Sequence, residues 1–241
     1  MSCQAASIAT SLNNDGISLL EAKNFEAAAT SFSRGLSVVK RALSSNDWDN
    51  NASGPFQTNQ ESNEDSLACQ FCKLQDSNSK TEFADEDEQD FLTTVEDFVF
   101  QEPIMVLPGS LESPSYASFV KLSFIQLYNL ALSHHLCALQ RSNPEPFLRK
   151  ALSLYELAYT IHVSEDVELT ILQSMAIVNN LGQLHKQLDN IEKSQQCFEN
   201  LLTTLMFVKD CGEQDCHQLL DGFLSNVMSL ILCGSKLAPA A

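Results

Sequence analysis

Long apolar runs are missing from this sequence of 241 residues. The best candidate, FLSNVMSLILC at 223–233, falls short of the roughly 18 residues of a spanning helix and is broken by Ser225 and Asn226. The N-terminus also lacks the basic region and apolar core of a secretion signal, so the cytoplasm or nucleus is the expected location and no membrane partner is expected. Basic residues are scarce: 14 Lys and Arg stand against 31 Asp and Glu, and no run of them exceeds the pairs Lys40-Arg41 and Arg149-Lys150. Nucleic acid and anionic lipid both require clustered positive charge, which excludes them as expected ligands. The eight glycines are scattered singly, so there is no glycine-rich phosphate loop. No Gly-x-Ser-x-Gly elbow, His-Glu-x-x-His pair or kinase-like set appears either, and no catalytic residue or cofactor is expected.

Cysteine is better represented, at Cys3, Cys69, Cys72, Cys137, Cys197, Cys211, Cys216 and Cys233. In a reducing compartment these are expected as free thiols, mostly small core residues. Cys69 and Cys72 do have metal-ligand spacing, and Cys211, Cys216 and His217 offer a second half. The distance between the halves matches no compact zinc finger. No metal site is assigned, and a metal- or redox-responsive protein using Cys69 and Cys72 stays open as an alternative.

The negative charge is concentrated. Residues 44–115 carry sixteen acids against Lys73 and Lys80, whereas the rest of the chain is nearly balanced. Residues 44–97 are rich in Asn, Ser, Asp, Glu and Gln, a composition that buries too little apolar surface to offset chain entropy, so a mostly disordered acidic insert is expected. Its run DEDEQD at 85–90 is read as a solvated stretch or as an internal mimic of an acidic ligand. FVFQEPIMVLP at 98–108 differs in kind, being apolar and bounded by Pro103 and Pro108. Proline disfavours helix and inner strands, so 98–114 is expected to be an extended strap against the helices, with a new helix starting after Pro114.

Within the remaining chain an isolated glycine sits inside a helical pattern, in NNLGQLHKQLDNIEKSQQCF at 179–198. Such a glycine costs about 1 kcal/mol relative to Ala, so it asks for a packing reason. Gly182 is followed by Ser194, Phe198 and Leu201 at twelve, sixteen and nineteen residues. Gly16 is followed by Ala28, Phe32 and Gly35 at the same offsets. Ala131 is followed by Ala151, Tyr155 and Ala158 with every offset longer by eight, which a single insertion, QRSNPEPF at 140–147, explains. An Asn stands two residues before each small residue: Asn14, Asn129 and Asn180. Fixed internal spacing of this kind marks stacked helix hairpins, each unable to bury its apolar face alone. The small residues let two helices approach, and Phe32, Tyr155 and Phe198 are expected to fill the space toward the next hairpin.

These residues resemble the tetratricopeptide repeat, which shows a small residue, Ala, an aromatic and Ala at these offsets in a unit of about 34 residues. The resemblance covers 5–43, 119–163 and 174–208 and is degenerate, with Leu12, Leu127 and Val178 at the early Trp position. FIQLYNLALSHHLCAL, ALSLYELAYTI and QQCFENLLTTLMF are further similar to uncharacterised tetratricopeptide-like proteins of diatoms. The resemblance implies an all-α array forming one domain over 1–241. Its parts are a first hairpin at 5–43, the insert, the strap, a second hairpin at 115–163, a third at 165–208 and a capping helix at 213–233. A non-repeat helical bundle is the alternative fold.

The resemblance also places a groove on the concave face, where Asn14, Asn129 and Asn180 hold a ligand backbone. Tyr128, His135, Asn179, Gln183 and Lys186 are the other expected lining residues, with Asn13, Ile17, Glu21 and Leu132 beside them. Family members that grip a chaperone's C-terminal carboxylate need Lys and Arg there. Here Asn13, Ala176 and Asn180 stand at those positions, so that clamp is not expected. His134 and His185 fall at one repeat position and are read as packing residues. The expected function is therefore non-catalytic: an adaptor or scaffold binding another protein or peptide, expected as a monomer, with a homodimer through the C-terminal helix as the rival. An enzyme on an unrecognised helical scaffold is a further alternative.

Overall fold

The computed structural model describes residues 2–45, 98–107, 114–165, 167, 169–211 and 217–234. The acidic insert from 46 to 97, with Cys69 and Cys72, lies outside the described residues. All regular structure among the described residues is α-helical: α1 (Ser2–Glu21), α2 (Phe25–Leu43), α3 (Tyr116–Ala138), α4 (Glu145–Ser164), α5 (Ile171–Gln187), α6 (Ile191–Cys211) and α7 (His217–Gly234). No described helix is long and apolar enough to cross a membrane.

Helix boundaries follow local chemistry. Ser115 caps α3 by accepting from the Ser118 amide, and Ser118 returns the bond in a capping box. Thr170 and Gln173 do the same for α5. Pro144 and Pro146 stand at the start of α4, where no intrahelical donor is lost. The first and third hairpins turn by one device: Lys23 (φ 59°) and Asp189 (φ 60°) take left-handed conformations after α1 and α5. The following amides, of Asn24 and Asn190, reach back to the carbonyls of Leu19 and His185.

Each helix packs on the next in sequence, and α1 also touches α3 while α5 touches α7. The central helix α3 is buried on nearly all sides. Eighteen of its 23 residues are buried, so its sequence is apolar all round rather than striped. The glycines show why two helices come so close. A Cβ on Gly16 would lie 2.6 Å from the Phe32 ring, and one on Gly182 would lie 2.7 Å from the Phe198 ring. Phe32 and Phe198 therefore lie against the first helix of their own hairpins. Tyr155, at the matching place in the second pair of helices, is also fully buried. Its hydroxyl accepts a 3.0 Å hydrogen bond from Asn180, on the first helix of the third hairpin.

Candidate functional site

α1, α3, α5 and α7 all face residues 98–107, which form neither helix nor strand. The segment's amides and carbonyls would be unpaired without outside partners, and buried main-chain groups do not stay unpaired. Asparagine side chains supply those partners. Asn226 accepts from the Phe98 amide (3.1 Å) and donates to the Phe98 carbonyl (2.7 Å). Asn180 brackets Phe100 in the same way, at 2.9 Å on both sides. Asn129 brackets Ile104 at 2.8 and 2.9 Å, and Asn14 brackets Val106 at 3.4 and 2.9 Å. An amide side chain carries a donor and an acceptor side by side, so it alone matches the paired N–H and C=O of one residue.

Two further asparagines turn these four contacts into two copies of one device. Asn13 donates to the Ile104 carbonyl and to Asn14, and accepts from Asn129. Asn179 donates to the Phe98 carbonyl and to Asn180, and accepts from Asn226. Each triad thus takes an adjacent Asn pair from one helix (α1 or α5) and a single Asn from the next inward-facing helix (α3 or α7). Each holds two strap residues separated by one. The strap runs from α7 toward α1, opposite to the order of the helices.

Between the triads the register slips. One step from α1 to α3 moves two residues along the strap, from Val106 to Ile104. The step from α3 to α5 moves four, from Ile104 to Phe100. At that step Tyr128 occupies the place that Asn13 and Asn179 hold in their helices. Gln101 and Glu102 are exposed there, and the strap passes Tyr128 without an asparagine contact.

The expected groove residues are therefore placed as follows. Asn14, Asn129, Asn179 and Asn180 grip the chain's own strap, so the groove is occupied rather than open. Tyr128 is fully buried, with no hydrogen-bond partner for its hydroxyl among the described residues, and burial and the charges of Tyr155 and Glu102 push its pKa up. His135, read from the sequence as a surface histidine, is fully buried and sits edge-on to Tyr155 at 6.3 Å. Burial lowers its pKa to about 4, so it is neutral near pH 7 and offers no cation to a ligand. Gln183 is fully buried with no partner for either amide atom among the described residues, and Lys186 is exposed at the end of α5. Asn226, Gly222 and Phe223 were not anticipated. The signal for Asn226 was its position in the buried stripe of α7, between Phe223 and Val227, where a polar residue needs a reason.

The site is neutral and rich in amides, with the chemistry of main-chain recognition. His134 and His185 also have lowered pKa values, His134 to about 4 through burial and the Lys150 charge. Both keep packing positions, His134 beside the Phe147 ring at 6.4 Å. Burial raises the Cys197 thiol to about 11, which leaves it protonated and unreactive near neutrality. Among the described residues no group of three His, Cys, Asp or Glu could hold a metal ion. Comparison with protein-family models, curated proteins and solved structures gives no match for this chain.

Proposed function

We propose that this chain is a non-catalytic interaction adaptor, a degenerate tetratricopeptide-like array whose groove holds an extended peptide by its main chain. One observation carries the reading. Asn14, Asn129, Asn180 and Asn226 each pair with both the amide and the carbonyl of a single strap residue. Buried main chain needs partners in any role, but here one side-chain type supplies them at every grip point. Five of the six amide side chains are buried, those of Asn13, Asn129, Asn179, Asn180 and Asn226, which is costly unless every one finds partners. Their placement in two matching triads is what a receptor for main chain requires, since it accepts many sequences in one conformation. The partner on this reading is another protein offering an extended segment, met in the cytoplasm or nucleus by a monomeric adaptor. No observation among the described residues favours the metal, redox or enzyme readings.

The test is a quantitative pull-down from native lysate with three full-length forms: the parent chain, Ile104→Asp with Val106→Asp to loosen the strap, and the loosened form carrying Asn129→Ala and Asn180→Ala. A partner enriched by the loosened form and lost with the asparagines supports the adaptor. No asparagine-dependent partner on any folded form removes it.

A further inference from the structure

The two triads grip alike, but the side chains at their grip points do not. At the α1–α3 end the held residues are aliphatic, Ile104 and Val106. At the α5–α7 end they are Phe98 and Phe100, and both rings meet Phe223, which is itself fully buried. Phe98 stands edge-on to it at 5.3 Å between centroids and 84° between planes. Phe100 lies stacked with it at 5.6 Å and 14°. The residue before Phe223 is Gly222, and a Cβ at that position would collide with the Phe98 ring. Phe223, Gly222 and Asn226 are consecutive features of one helix, supplying a ring, a recess and a main-chain clamp.

We propose that α7 is a selectivity element, not only a cap, and that the groove takes in trans an extended peptide segment bearing an aromatic–x–aromatic pair. This rests on the adaptor reading of the same groove. The occupant is specified by what sits there now. The strap FVFQEPIMVL, residues 98–107, shows the conformation, direction and side chains that the site accepts, and a partner segment must match them to displace it. The pair lies at the N-terminal end of the bound peptide, against α7. Aliphatic residues follow at the fourth and sixth positions after the second aromatic, held by the triad of Asn13, Asn14 and Asn129. Ring-on-ring geometry sets the preference, because aliphatic side chains at both Phe98 and Phe100 keep their main-chain bonds and lose the two ring contacts with Phe223. The strap is then the chain's own competitor for the site.

The test uses the full chain carrying Phe98→Ala and Phe100→Ala, which keeps the strap and removes its two rings. Fluorescein-labelled FVFQEPIMVL is titrated against it and against the parent chain. Binding to the variant is expected to be at least about tenfold tighter than to the parent. The same peptide with Ala at both Phe positions is expected to bind the variant at least about tenfold more weakly, and Phe223→Ala in the variant should abolish that difference. Equal binding of the two peptides overturns the aromatic site and leaves the main-chain groove standing. No binding of either peptide to a folded variant overturns both. Should the variant fail to fold, amide exchange on the parent chain decides. Excess Phe peptide, and not the Ala peptide, should accelerate exchange at Phe98 and Phe100, and no acceleration by either overturns the proposal.

Discussion

Asn180 holds Phe100 by both polar groups of its main chain, at 2.9 Å each, and on the same side-chain nitrogen donates to the Tyr155 hydroxyl at 3.0 Å. One side chain on α5 therefore ties the strap to the second hairpin as well as the third. Asn180→Ala would leave the buried Phe100 amide and carbonyl unpaired. The expected loss of stability is about 2–4 kcal/mol, measured by denaturant unfolding of the full chain. Asn200→Ala, on the exposed side of α6, should change it by less than about 0.5 kcal/mol. Equal effects of the two substitutions would deny the strap contact any energetic weight.

Gly182 offers a test of close helix approach. Helix propensity alone predicts that Ala there stabilises by about 1 kcal/mol. The Phe198 ring stands 2.7 Å from where that methyl would go, so Gly182→Ala is expected to destabilise by about 1–3 kcal/mol instead. Adding Phe198→Leu should recover part of the loss. The coupling between the two sites, read from a double-mutant cycle, should exceed about 0.5 kcal/mol.

The two hairpin turns make the opposite prediction. Lys23 and Asp189 hold left-handed backbone at φ 59° and 60°, where a Cβ is strained. Asp189→Gly should stabilise by about 0.5–1 kcal/mol, after the entropy that glycine loses on folding is subtracted. Lys23→Gly should do the same independently, and thermal melts of the single and double variants would show the two effects adding.

His135 predicts a pH dependence. Its pKa falls from 6.5 in the unfolded chain to about 4 when buried, so between those values the folded protein binds fewer protons than the unfolded one. Stability that is fully present above pH 6.5 should drain away as pH falls through this window toward 4. His134 acts in the same direction. Replacing His135 with Leu should flatten the slope by an amount approaching about 3 kcal/mol across the window. Superimposable slopes for parent and variant would mean that His135 is hydrated in the folded chain.

Much of the framework could be read in advance, for physical reasons visible at particular residues. The offsets from Gly16 and Gly182 to Phe32 and Phe198 record a steric contact, and a contact leaves a fixed spacing in the sequence. The helix start after Pro114 was legible because its cap, at Ser115, is local chemistry. Pro103 and Pro108 marked 98–108 as unsuited to helix, and Asn14, Asn129 and Asn180 stood out through shared position. What the sequence concealed was non-local. Nothing near Asn180 says that its partner is eighty residues upstream, so the groove was expected to stand open. Asn226 lacks the small residue that follows its three counterparts, since Met228 stands there, so shared spacing does not group it with them. His135 lay on the correct helix face but was expected at a surface that the strap and neighbouring helices bury.

The most direct test of the central claim is residue-resolved amide hydrogen exchange across 98–107 in the intact chain. Alternation is predicted: the amides of Phe98, Phe100, Ile104 and Val106, each donated to an asparagine oxygen, should be protected together. Those of Gln101 and Glu102, which pass Tyr128 on the exposed side, should exchange rapidly. Uniformly fast exchange through the segment, with the helices still protected, would contradict the asparagine-held strap and with it the groove that those asparagines define.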